Sequence, residues 1–188
     1  MGKVYAGLDD RLRQFISVQH VFFVATAPSG EDGHINLSPK GHRNTFAVLG
    51  PGTVAYLDLT GSGAETIAHL RQNGRITIMF CSFTETPKVL RLQGRGRAVL
   101  PGEPDWDSLA GCFPRAPGWD TGRGGHRAII VAELDRIADS CGYAVPVMEL
   151  AGERDLLTQW TERKTPEQLA AYRAERNAVS IDALPALG

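Results

Sequence analysis

Three short stretches could together bind an anion: SPKG at 38–41, TGSG at 60–63, and Arg91 within PKVLRLQGRGRAVL. TGSG offers hydroxyls and bare backbone amides but no basic side chain. At the mouth of a helix such a turn can cap the helix, receive an anion, or do both, because the first helical N–H groups lack intrahelical partners and carry partial positive charge. Ser62 followed by Glu65 has capping-box spacing. Ser62 and Thr66 add hydroxyl donors, and Lys40 and Arg91 supply full charges if the strands bring them alongside, which makes a phosphate pocket. Plainer readings stand beside this one. SPKG can be only a bend fixed by Pro39, TGSG only a cap, and Arg91, Gln93, Arg95 and Arg97 only a solvated sheet face. The spacing is neither that of a nucleotide-hydrolysing P-loop nor the G-x-G-x-x-G of a dinucleotide fold.

The elements that must position these residues are mostly strands. LDDRLRQFISVQ places Leu8, Leu12, Phe15 and Ile16 on one helical face, with Asp9 and Asp10 in the first turn. VFFVATA (21–27) and HINLSPKG (34–41) flank the turn SGEDG and read as a hairpin. TVAYLDL (53–59) is a strand, and the segment after TGSG is a helix over 66–73 stopped by Gly74. RITIMFCSF (75–83), PKVLRLQGRGRAVL (87–100) and HRAIIVAELDRIADS (126–140) complete the strands. In the tail, TPEQLAAYRAER is a helix with Thr165 as cap, Pro166 at the first position and Gln168 closing the box. Short connections favour antiparallel pairing, and glycines inside strands favour a closed or nearly closed barrel. The expected fold is mainly β, with antiparallel strands, one inserted helix and peripheral helices. It is expected to form one domain over 1–188, with the barrel core at about 18–140 and a helical extension at about 150–188.

Composition limits the function. A net charge of -1 gives no bulk attraction for nucleic acid. The basic strand bearing Arg91, Arg95 and Arg97 lacks the interleaved aromatics that stack bases. Apolar runs are broken before the ~20 residues of a membrane span, and the charged N-terminus lacks a signal-peptide core, so the cytoplasm is expected. Cys81, Cys112 and Cys141 fit neither a disulfide framework nor a zinc site, and the five histidines show no metal-ligand spacing.

The succession VFFVATA, GHINLSPKG, TVAYLDLTGSGAETIAHLRQNGRITIMF and VLRLQGRGRAV resembles the pyridoxamine 5'-phosphate oxidase-like family of flavin-binding split β-barrels, over about residues 8–100. SCGYAVPVMELAGERDLLTQW resembles the carboxy-terminal segment of an uncharacterised branch. The resemblance implies a homodimer with FMN in clefts between subunits, and an oxidoreductase acting on a small substrate with a reduced nicotinamide or another carrier. A deazaflavin (F420) is the variant cofactor, and a flavin- or haem-binding protein without turnover is the alternative. By position, the backbone of Ile35, Asn36, Leu37 and Ser38 would pass along the isoalloxazine ring. Lys40 would approach the phosphate, Asp58, Thr60, Gly61, Ser62 and Thr66 would form the ribityl and phosphate end, and Arg91 would lie across from it. The flavin itself would carry the redox chemistry, so no catalytic side chain is named. Tyr143, Trp119 and Trp160 are candidates to cover the ring or substrate, against the plainer reading of packing aromatics. The sequence departs from the oxidases in two places. Glu65 and Thr66 stand where they carry an Arg-Lys pair, Glu65 being expected to cap the N–H of Ser62, and RNAVSIDALPALG lacks their Arg-x-His.

Overall fold

A computed structural model describes residues 2–113 and 125–188, with eight strands paired into one sheet. After β1 (Val4–Tyr5), the opening helix α1 (Asp10–Ser17) is capped by the Asp9 side chain, which accepts from the Leu12 amide, and buries Leu12 and Ile16. β2 (Phe22–Thr26) buries alternate residues, and β3 (Asn36–Lys40) pairs with it as the expected hairpin. β4 (Phe46–Val48), absent from the sequence reading, pairs with β5 (Thr53–Leu59). Its three residues are too few to show a period, and they follow two non-glycine residues at positive φ, His42 and Asn44. Helix α2 (Glu65–Asn73) ends at Gly74, whose φ of 70° suits glycine. β6 (Arg75–Cys81) and β7 (Val89–Val99) follow, then a short α3 (Trp106–Ala110) and β8 (His126–Ser140). Helices α4 (Leu156–Glu162) and α5 (Pro166–Arg176) lie in the tail, α5 with the expected capping box between Thr165 and Gln168.

The sheet runs β3-β2-β6-β7-β8-β5-β4, its described neighbours antiparallel, with β1 added on β8. It curls so that its ends face each other. The Phe22 ring of β2 lies 5.1 Å from Phe46 of β4 and 5.4 Å from Tyr56 of β5, edge to face, and Phe46 lies 5.0 Å from Phe80 of β6. These rings fill a core with Val24, Ile67, Ile78, Leu90, Leu92 and Ile130. The β7–β8 register shifts between Gln93 and Gly94, Asp135 being the extra residue of β8, and a Cβ on Gly94 would sit 1.9 Å from the Glu133 carbonyl oxygen, so glycine is needed for the strands to approach. A second cluster, including Leu57, Val99, Phe113 and Ile129, packs on the other face beneath α3. The tail returns to the main core through Ala186, with Leu184 and Leu187 against it.

Candidate functional site

The chain after β5 is held from behind by three side chains. Thr60 is buried and its hydroxyl donates to the Gly125 carbonyl at 2.6 Å. Arg127 of β8 donates through Nη1 to the Gly61 carbonyl at 3.3 Å and through Nη2 to that of Gly63 at 2.6 Å. Asn177, just beyond α5, donates through Nδ2 to the carbonyls of Gly61 at 2.9 Å and Ser62 at 3.3 Å. Three successive carbonyls thus point toward Arg127 and Asn177. In a planar trans peptide the N–H opposes the C=O, so the amides of Ser62, Gly63 and Ala64 point the other way. They adjoin the first amides of α2, which precede the first intrahelical bond, from Ala68 to Ala64.

Arg127 also anchors the charge beneath the turn. Its Nε lies 2.7 Å from Asp58 Oδ2, while Lys40 Nζ reaches Oδ1 at 3.1 Å. Asp58 is fully buried. Burial alone would raise its pKa, but the charges of Lys40 and Arg127 prevail and hold it below its ordinary 3.8. Lys40 comes from the edge strand β3 and Asp58 from β5, beside the other edge, so this pair bridges the split in the barrel.

A hydrogen-bonded chain runs inward from the same strand. Ser38 Oγ donates to Asn36 Oδ1 at 2.8 Å, and Asn36 Nδ2 donates to Thr26 Oγ1 at 3.1 Å and Thr66 Oγ1 at 3.0 Å. Thr26 Oγ1 lies 3.0 Å from Nδ1 of buried His69. Asn36, Ser38 and Thr66 are therefore joined, and Lys40 joins Asp58. Ile35 and Leu37 lie outside, 77% and 66% exposed, as apolar residues on and just before an edge strand.

Arg91 is not brought alongside Lys40 within one protomer. Lys40 pairs with Phe22, Phe22 with Phe80, and Phe80 with Leu90. Directly paired residues share a face, so Arg91, next to Leu90, lies on the other face, where its Nη1 donates to Ser140 Oγ at 3.0 Å. The rest of the basic strand is also engaged: Arg95 donates to the Asn73 carbonyl and Arg97 pairs with Asp105 at 2.6 Å.

The capping-box expectation is corrected. The N-cap of α2 is Ala64 without a side-chain cap, and Ser62 is exposed, two residues before the cap position. Glu65 does not cap Ser62; it folds onto Gly63, where a Cβ would stand 2.3 Å from Glu65 Oε2. A carboxylate thus sits over the turn where the oxidases of the family carry basic residues. Trp160 packs edge to face on Tyr172 at 4.9 Å, so it joins α4 to α5, while Tyr143 is 82% exposed. Trp119 lies outside the described residues. A cavity of about 520 Å³ opens at Lys40, between Leu57 and Leu59 on one side and Leu150, Arg154 and Leu157 on the other, a size suited to a small molecule. Among the described residues no three His, Cys, Asp or Glu side chains group as metal ligands, and no helix is long and apolar enough to cross a membrane.

Sequence reasoning missed Arg127, Arg173 and Asn177. The signal for Arg127 was present: HRAIIVA and TVAYLDL are apolar strands each carrying one charge, and lone charges in buried strands need each other. Nothing local marks Arg173 or Asn177, whose partners at residues 60–62 lie more than a hundred residues away.

A curled antiparallel sheet, split between its edge strands and carrying a glycine turn and helix beside the split, is a split β-barrel. A family model described as pyridoxamine 5'-phosphate oxidase matches residues 8–138. The pyridoxamine 5'-phosphate oxidase family protein ustO of Aspergillus flavus is 38% identical over an alignment of 202 positions that takes in 97% of this chain and 77% of that protein. The chain belongs to the pyridoxamine 5'-phosphate oxidase family. HupZ of Group A Streptococcus superposes with a TM-score of 0.54 at 20% identity, over 75% of this chain and 98% of that one. HutZ of Vibrio cholerae, a haem storage protein, does so with a TM-score of 0.51 at 15% identity, over 69% and 91%. At these identities the two structures speak for the fold.

Proposed function

We propose that this chain binds FMN and acts as a flavin-dependent oxidoreductase on a small substrate. The observation that carries the reading is the set of amides of Ser62, Gly63 and Ala64, turned away from Arg127 and Asn177 just before α2. Amides without partners at a helix N-terminus suit a phosphate, and the turn is linked through Asp58 to Lys40 and through Thr66 to Asn36 and Ser38. In this reading the backbone of 35–38 borders the ring. Lys40 and the residues Asp58, Thr60, Gly61, Ser62 and Thr66 form the phosphate end, with Asp58 and Thr60 acting from beneath because both are buried. When bound, the flavin supplies hydride or electron transfer and the protein supplies orientation and electrostatic tuning.

A homodimer is part of the proposal. Arg91 on the outer face reaches a cofactor only across an interface with a second copy, and exposed Ile35 and Leu37 are apolar surface for that copy to cover. A reduced nicotinamide is the proposed electron donor. Three free cysteines, two of them exposed, support a reducing compartment such as the cytoplasm. Pyridoxamine phosphate is not the proposed substrate, because residues 176–188 lack the Arg-x-His of the oxidases. The test is reconstitution with FMN followed by anaerobic reduction with nicotinamide donors. Binding with reduction supports an enzyme; binding without reduction by any donor supports a carrier.

A further inference from the structure

We infer that helix α5 sets the direction of the glycine turn, with Arg173 and Asn177 as positioning residues for the phosphate group of the ligand; this rests on the function proposed above. The helix begins at a complete capping box, so its start is fixed, and it ends with Asn177, which is fully buried. From it, Arg173 Nε donates to Thr60 Oγ1 at 3.0 Å and Nη2 to the His126 carbonyl at 3.3 Å. Thr60 spends its own proton on Gly125, so Arg173 fills the remaining acceptor side of that hydroxyl. Asn177 must present its amide nitrogen to the turn, because both its contacts there are carbonyls. Its Oδ1 is buried without a partner among the described residues, which a residue chosen only to fill space would not accept.

The geometry separates two tasks. Arg127 holds Gly61 and Gly63 from the strand side, and Asn177 holds Gly61 and Ser62 from the helix side. Among the described residues the carbonyl of Ser62 is held by Asn177 alone, so the opposed amide of Gly63 is set by the helix and not by the described strands of the barrel. Glycine on both sides of Ser62 leaves that peptide free to rotate when the contact is lost. The rest of the tail locks α5 in place: Asp182 accepts from His34 N–H at 2.8 Å, and Ala186 enters the core.

The test compares FMN with riboflavin, which lacks the phosphate, in wild type, Asn177→Leu, Arg173→Met and Arg173→Lys, alongside amide hydrogen exchange. In Asn177→Leu, FMN binding is expected to weaken about tenfold, the scale of one or two lost hydrogen bonds, with riboflavin unchanged. Exchange at 61–65 should rise while the strands keep their protection. Arg173→Met should show the same split more weakly, Arg173→Lys should restore part of it, and these milder variants decide the matter if Asn177→Leu does not fold. Equal weakening of both flavins, or no change in exchange at the turn, overturns the inference. Faster exchange at the turn in a protein whose wild type ignores both flavins upholds the clamp and overturns the flavin reading.

Discussion

The Arg127 guanidinium lies 2.7 Å from the Asp58 carboxylate, inside a barrel where neither has appreciable exposure, and the same guanidinium holds the carbonyls of Gly61 and Gly63. One buried ion pair therefore fixes both the split of the barrel, through Lys40, and the turn beside it.

Breaking that pair leaves a buried charge without its best partner. Arg127→Met should cost about 3–5 kcal/mol in urea unfolding. The pair also sets an acid dependence. The pKa of Asp58 is depressed in the fold, so its contribution is full above 3.8, the unfolded value, and is lost as pH falls through the lower folded value. Unfolding midpoints in wild type should fall on acidification below 3.8, and in Asp58→Asn this component should vanish.

His69 adds a second pH dependence nearer neutrality. Burial holds its pKa below 6.5, against Asp182 and Glu65, which pull it up. The unfolded chain takes up a proton as pH falls through 6.5 while the folded chain resists, so stability is full above that value and declines below it. Urea midpoints at about pH 7.5 and about pH 5.5 should differ in wild type and differ less in His69→Gln. An equal difference in the two proteins would contradict the assignment.

Ser62 and Thr165 separate an apparent cap from a real one. Ser62→Ala should change stability by less than about 0.5 kcal/mol, because Ser62 is exposed and does not cap α2. Thr165→Ala should cost about 1 kcal/mol, because its hydroxyl accepts from the Gln168 amide. Calorimetry on the two variants checks the contrast.

Glu65 opposes a phosphate at the turn. Glu65→Gln removes the carboxylate folded over Gly63 and should tighten FMN binding by roughly threefold to tenfold, with riboflavin unaffected. Unchanged FMN affinity would place the phosphate away from Gly63.

Much of the fold was legible because periodicity and turn chemistry agree in this chain. TVAYLDL and HRAIIVAELDRIADS became strands over the residues expected, and Gly74 stops α2. Short elements were not legible: β4 has three residues and α3 five, fewer than one repeat of a convincing pattern. Within the site, Asn36, Ser38 and Thr66 are joined by hydrogen bonds, because neighbouring elements carry them. Arg91 and Lys40 do not, since strand parity puts them on opposite faces. The capping box misled because S-x-x-E spacing reports sequence distance, whereas the helix starts where backbone dihedrals allow, at Glu65 after Ala64. The supports from Arg173 and Asn177 depend on long-range packing, which local pattern does not carry.

The most direct test of the central claim is an absorbance spectrum of the purified protein followed by titration with FMN. FMN binding is expected, seen as flavin bands or as saturable quenching of FMN fluorescence, and weakened by Lys40→Met. A colourless protein that leaves FMN fluorescence unchanged at all concentrations would contradict it. A deazaflavin bound in its place would keep the pocket and change the cofactor.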